Sequence, residues 1–260
     1  MPSHPALLNS ESLEAIPAAL AKPRGNATAR RLSQGTWLIR RKRDGKFLAV
    51  ASRENFARLQ RDAIAPRDFD DFAELFDNAT RKVHARPLDG LHRWLGQLGI
   101  EAGAYRERSG LELVAEPSRL AFAGFDRYRR PLWLAHGAVP AWSRMREAAH
   151  RDGIVLDAIS GYRSHAYQLG IFRRKLARGL ALDAILAVNA APGFSEHHGG
   201  CALDIGTPGE PAAEESFENT SAFAWLAQRA QDFGFRMSYP RGNPHGIVYE
   251  PWHWCWHPPR

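Results

Sequence analysis

Apolar residues recur every three to four positions over Val139–Arg151, where Val139, Trp142 and Met145 share one face, and over Ala222–Phe233, where Phe223, Leu226 and Ala230 do so. That is the helical period, so both stretches are predicted as amphipathic helices. Gly153 and Gly234 follow them as C-terminal stops, and Ser221 stands where an N-cap belongs. Ser164 caps a further helix running to about Arg178, and residues 182–188 read as a short one. The unbroken run Ile154-Val155-Leu156-Asp157-Ala158-Ile159 predicts a buried strand. Two more strands are expected at Phe235–Tyr239 and Gly246–Trp254, separated by the turn-rich Pro240–Pro244.

The first half of the chain is less regular. Thr36–Arg40 and Phe47–Val50 flank Arg43-Asp44-Gly45-Lys46, where Asp-Gly supplies the positive-φ turn of a hairpin. Helices are expected over Glu54–Arg61, Phe69–Asn78 and Leu88–Leu98. The first thirty residues, rich in Ala and Pro, read as a poorly ordered arm or a short helix around Ser12–Leu20. The 260 residues therefore divide into an arm (1–30), an N-terminal α+β accessory unit of illegible role (31–115) and a second unit (116–260).

Hydrophobic content of 44% and charged content of 24% suit a packed globular chain and exclude disordered and fibrous classes. A net charge of +7 favours anionic partners: nucleic acid, an anionic membrane face, or carboxylate-rich wall fragments. The basic runs Arg40–Arg43 and Arg173–Lys175 accompany no nucleic-acid motif, so they read as solvated faces and nucleic acid is not expected as a partner. Pro5, Glu11, Glu14, Pro17 and Pro23 interrupt any apolar leader, and no membrane-spanning run occurs, which gives a cytoplasmic expectation, or a periplasmic one if a leader has been removed. Cys201 and Cys255 are too few for a disulfide framework and read as free, inert thiols.

The chemistry is concentrated in Ser195-Glu196-His197-His198-Gly199-Gly200-Cys201-Ala202-Leu203-Asp204, where an imidazole and a carboxylate flank two glycines that can fold the chain back. Zinc accepts both ligand types and, in catalytic sites, takes three protein ligands and keeps one position open. The closing Glu250-Pro251-Trp252-His253 offers a candidate third ligand. A spacing of three puts Glu250 and His253 on opposite faces of a regular strand, so an irregular turn at Pro251 is required to aim both at one point. Each residue alone is unremarkable; a lone histidine is usually a surface or satisfied core residue.

Together, S-x-H-x-x-G-x-A-x-D, the preceding Gly161-Tyr162-Arg163-Ser164 with the later Gln168, and the closing E-x-W-H resemble the VanY-type D-Ala-D-Ala carboxypeptidase and LD-carboxypeptidase family of zinc metallopeptidases, over roughly residues 120–256. The resemblance implies an α+β fold, a small antiparallel sheet backed by helices like that of the hedgehog and DD-peptidase domains. It implies one Zn2+ per chain held by His197, Asp204 and His253, with Glu250 as general base. Arg163 is then catalytic or grips the terminal carboxylate of the substrate, two roles the sequence leaves open, and Gln168 and Ser195 bind substrate. The expected reaction is removal of the terminal D-alanine from peptidoglycan stem peptides or muropeptides, with LD cleavage of tetrapeptides favoured over DD cleavage. The rivals are a peptidoglycan endopeptidase of the same fold, like an endolysin, and a non-catalytic zinc-containing binding module.

Overall fold

The computed structural model describes residues 5–23, 25–52 and 69–258. Its α+β architecture rests on two antiparallel sheets, one of six strands and one of four, each backed by helices. The expected helix at Glu54–Arg61 lies outside the described residues.

The six-stranded sheet runs β4-β3-β2-β1-β5-β6. Its strands are β1 (Ala6–Asn9), β2 (Leu13–Pro17), β3 (Trp37–Arg41), β4 (Phe47–Ala51), β5 (Arg119–Phe125) and β6 (Pro131–Leu134). The expectation of an arm or short helix at the N-terminus is therefore corrected: residues 6–17 form the two inner strands. Leu7 packs towards Leu38, Leu120 and Trp133 on one face, while Leu8 meets Leu13, Ile39 and Phe72 on the other. A strand buried on both faces shows no apolar alternation, and tertiary pairing overrides its weak local pattern. Asp71 secures the β1–β2 turn by accepting from Glu11 N and Ser12 N, both at 3.0 Å.

Helix α1 (Asn26–Leu32) contributes Leu32 to the face around Trp133, and α2 (Phe69–Thr80) lays Phe72 and Leu75 on the other. The helix expected at Leu88–Leu98 is α3 (Leu91–Gln97). Helix α4 (Ala102–Ser109) was not anticipated; Glu101 caps it, accepting from Gly103 N at 2.9 Å and Ala104 N at 2.5 Å.

The basic run Arg40–Arg43 is a solvated face only in part, which corrects the sequence reading: Arg43 is exposed, whereas Arg40 and Lys42 are tied into the fold. Arg40 pairs with Glu14 at 2.6 Å, and the fully buried Lys42 ammonium pairs with Glu116. Glu116 also accepts from Tyr162 Oη at 2.9 Å and His165 N at 2.6 Å, so one carboxylate ties the β3–β4 hairpin to the segment carrying Arg163. Burial alone would raise the Glu116 pKa, but Lys42 and His165 hold it down at about 2. A depressed folded pKa means that the stabilisation is present above the unfolded value near 4.5 and is lost as pH falls towards 2. Replacing Lys42 with Met strands that carboxylate and is expected to cost about 3–5 kcal/mol in urea unfolding at pH 7, most of it recovered in the K42M/E116Q double variant. A K42M protein within 1 kcal/mol of the parent would show that the pair carries no such weight.

The four-stranded sheet runs β7-β8-β10-β9, with β7 (Asp157–Ser160), β8 (Ala202–Gly206), β9 (Phe235–Met237) and β10 (His253–Trp256). Helices α5 (Ala138–Arg151) and α8 (Ser221–Arg229) cover one side, placing Trp142, Met145 and Leu226 against Leu203, Ile205 and Trp254. Thr220, not Ser221, caps α8 by accepting from Phe223 N at 3.1 Å. The strand expected at 154–159 starts later because Ile154 N turns back to Ala149 O (2.8 Å) after Gly153 at φ +76°. The last expected strand, Gly246–Trp254, gives way to the later β10, which shares only His253 and Trp254 with it: Asn243 Nδ2 donates to Pro240 O and Ile247 O, tying residues 240–247 into a loop. Helices α6 (His165–Ala177) and α7 (Leu182–Leu186) join α3 and α4 in a second core around Phe172, Phe194 and Tyr239.

Candidate active site

The register of β8 and β10 assembles the site. His253 lies directly opposite Asp204, and Cys255 opposite Ala202. Alternation puts His253 and Asp204 on one face while Leu203, Ile205 and Trp254 enter the core behind them. His197 arrives from the 3-10 turn Glu196–Gly199, and Gly200 at φ +72° then swings the chain into β8. A Cβ on Gly200 would stand 2.8 Å from Ala135 N and 2.5 Å from Leu120, so no side chain fits there.

His197 Nε2 and His253 Nδ1 each lie 3.3 Å from Asp204 Oδ1. All three side chains are buried. The remaining ring nitrogens are engaged: His197 Nδ1 with Gly161 O at 2.7 Å, His253 Nε2 with Glu196 Oε2 at 2.9 Å. In the neutral rings these partners select the tautomers whose inward nitrogens carry lone pairs. Two donors ~2.05 Å from a tetrahedral ion lie about 3.3 Å apart, so the Asp204-centred spacings fit a zinc ion. The electrostatics fit as well. Asp204 is held far below the ordinary carboxylate range, its burial outweighed by His197 and His253. Burial lowers His197, whereas Asp204 and Glu196 overcome burial to raise His253 to about 10. Acidic groups thus hold a proton where a cation would supply the charge, and metal binding would release it.

Glu196 was passed over in the sequence. Its Oε2 accepts from His253 and from Ser238 Oγ (2.5 Å), the arrangement that orients a ligating imidazole. The signal available was a carboxylate beside a candidate ligand. Glu196 also lies with Cys255 and His257 in a second group of metal-type donors, but its bonded oxygen is already committed to His253. Cys201 and Cys255 are free, and burial pushes both thiols up, so neither belongs to the His197–Asp204–His253 group.

Residues 250–253 form the irregular turn that the spacing required, closed by His253 N donating to Glu250 O at 3.1 Å. Glu250 Oε2 lies 3.8 Å from His253 Nδ1. Burial is the main cause lifting the Glu250 carboxyl to about 7; a cation in the triad acts in the opposite sense. Tyr239 closes this side, its ring centroid 4.8 Å from that of His253.

Arg163 Nη2 stands 3.7 Å from Asp204 Oδ2, and Nη1 donates to Gln168 Oε1 at 3.1 Å. Gln168 is buried and its Nε2 donates to Ala190 O at 2.9 Å. One acceptor and one donor contact of the amide thus go to protein partners, one of them Arg163. Ser195 is buried before the 3-10 turn, and its hydroxyl finds no hydrogen-bond partner among the described residues. His198 spends one ring nitrogen on Arg163 O (2.6 Å) and accepts from Gly193 N (3.1 Å) with the other, leaving no lone pair for a metal. The Gly-Tyr-Arg-Ser segment is explained atom by atom. A Cβ on Gly161 would lie 2.7 Å from Leu132; Tyr162 reaches Glu116; Arg163 faces Asp204; and Ser164 caps α6 by accepting from Tyr167 N at 3.1 Å.

The family model described as VanY, D-alanyl-D-alanine carboxypeptidase, matches residues 131–259. VanXYC of Enterococcus gallinarum, a bifunctional D-Ala-D-Ala dipeptidase and carboxypeptidase, is 30% identical over 146 residues, which span 53% of this chain and 73% of that protein. The chain belongs to the VanY family of D-alanyl-D-alanine carboxypeptidases. The Bacillus subtilis protein YodJ, named as a carboxypeptidase, is 34% identical over 53% of each chain, so the match spans about half of that relative's length. Among solved structures, the LdcB LD-carboxypeptidase is 34% identical with a TM-score of 0.45, over 48% of this chain and 59% of that one. A zinc complex of VanY from the VanB-type resistance cassette is 26% identical with a TM-score of 0.40, over 56% of this chain and 77% of that one. Among the described residues no helix is long and apolar enough to cross a membrane.

Proposed function

We propose that this chain is a zinc carboxypeptidase that removes the terminal D-alanine from peptidoglycan stem peptides. One observation carries the reading: a buried His197–Asp204–His253 donor set with zinc-compatible spacing, with the Glu250 carboxylate 3.8 Å from one of its nitrogens. When bound, the zinc ion supplies Lewis-acid polarisation of the scissile carbonyl and a water of lowered pKa. Glu250 takes the proton of the attacking water and returns it to the departing amine. Arg163, held in place by Gln168, offers a planar cation either to the developing oxyanion or to the terminal carboxylate of the substrate. The free Ser195 hydroxyl is available to hydrogen-bond the peptide. A binding module without chemistry would have no use for a carboxylate held 3.8 Å from a donor nitrogen of the triad yet outside its donor group.

Within this reading the preferred substrate is the tetrapeptide stem, whose D-alanine is joined to an L-centre. Inverting one stereocentre redirects a side chain into the pocket wall, and a misplacement of ~1 Å costs about 10²-fold in rate. Mass spectrometry of tetrapeptide and pentapeptide stems, with and without chelator, is expected to show faster D-alanine release from the tetrapeptide and none under chelation. A higher kcat/KM for the pentapeptide would make the enzyme a DD-carboxypeptidase, and cuts inside the stem would make it an endopeptidase.

A further inference from the structure

A cleft of about 580 Å³ lies outside the metal-type triad, between the six-stranded sheet and the segment that carries Arg163. That volume is within the ~300–1,000 Å³ usual for ligand sites. One wall comes from β2 and β3 and the residues after them, through Ile16, Lys22, Arg40 and Phe47; the other comes from Arg129, Trp133, Tyr162 and Tyr167. Arg163 lines the cleft and also approaches Asp204, so one residue connects this space with the reacting centre.

The charges in the cleft do not cancel. Its acids are all engaged: Glu14 with Arg40, Asp126 with Arg130, and Asp44 with Arg41. Among its cations, Lys22 and Arg129 are exposed and have no carboxylate partner among the described residues. Arg129 is moreover held at φ +60°, in the left-handed region that non-glycine residues rarely occupy. Asp126 fixes that turn, accepting from Tyr128 N at 2.9 Å and Arg130 N at 2.8 Å while its carbonyl accepts from Arg129 N. A guanidinium displayed from a strained turn, sharing one cleft with a lysine and the exposed ring of Tyr167, makes a cradle for an anionic chain.

We infer that this cleft is a substrate subsite, built jointly by the N-terminal sheet and the carboxypeptidase segment, that binds the carboxylate-bearing acyl portion of the peptide through Lys22 and Arg129. The inference rests on the proposed carboxypeptidase reading, because a stem peptide carries side-chain and α-carboxylates upstream of its terminal D-alanine. It gives the accessory strands a role in selecting substrates, separate from the chemistry.

The test uses the full-length zinc-loaded protein and its K22E/R129E variant, both substitutions being on the surface. Isothermal titration with the acidic tripeptide L-Ala-γ-D-Glu-diaminopimelate is expected to give a Kd about tenfold or more weaker in the variant, with the parent's affinity falling as salt is added. Against an N-acetylated tripeptide that ends in D-alanine and has no other charge, kcat/KM is expected to be the same in both proteins. Equal tripeptide affinity overturns the subsite, and so does an equal loss of kcat/KM on charged and uncharged substrates. Failure of the parent to hydrolyse either substrate would sink the carboxypeptidase reading, while the titration would still decide the cleft.

Discussion

The Asp204→Asn protein is expected to fold, to lose its zinc and to release no D-alanine. Asp204 Oδ1 is 3.3 Å from both imidazole nitrogens, so it is the donor on which the other two converge. Asparagine keeps the shape but loses the charge that balances a dication, and the amide is a poor substitute in a buried His–Asp–His set. Removing a partner that only orients a ligand already costs about 10–100-fold in metal affinity, and loss of a ligand should exceed that. Metal analysis should find about one zinc per chain in the parent and little in the variant. Thermal melting gives a second reading: zinc in large excess over its Kd, about 1,000-fold, stabilises the parent by about 4 kcal/mol and leaves the variant unmoved. Full turnover from metal-free Asp204→Asn would exclude the triad as the reacting centre.

The Glu250→Gln protein should behave in the opposite way, retaining zinc and losing about 10²–10⁴-fold in kcat. Glu250 Oε2 is 3.8 Å from His253 Nδ1, near the donors without belonging to their group. Its main-chain contacts, Glu250 N to Tyr239 O at 3.0 Å and Glu250 O to His253 N, are untouched by the amide, so the turn survives. The amide cannot accept and return a proton. Zinc content at the parental level together with a collapsed kcat is the expected pair of readings. Loss of zinc with normal turnover in the metallated fraction would make Glu250 a ligand.

What the sequence disclosed depended on how local the signal was. Helices α5, α6 and α8 were legible because their apolar faces repeat within the helix and their caps lie beside them. His197 and Asp204 were legible because one short turn and one strand carry both, and Glu250 because its spacing from His253 forced an irregular turn that Glu250 O and His253 N indeed close. Three things were not legible. Strands β1 and β2 hide behind burial on both faces, which erases alternation. The β8–β10 register depends on residues 49 apart, and nothing in either segment names its partner. Glu196 and Glu116 resemble ordinary surface acids until the fold brings His253 to one and Lys42 to the other.

The position of β1 has a consequence for how this chain acquires its shape. Strands β2, β3 and β4 can zip up from neighbouring sequence, but β1 must also wait for β5; Asn9 Nδ2 meets Pro117 O across 108 residues. Pairings of such high contact order form late, and each doubling of the loop adds only about 0.6 kcal/mol to its closure, so the penalty is felt in rate more than in stability. During synthesis the first strands therefore leave the ribosome with one β1 edge unsatisfied until the middle of the chain has followed. An unpaired apolar edge invites association with other chains. Lys42 is then also without Glu116, its partner in the folded chain, so the early intermediate carries an unpaired cation until the middle of the chain arrives.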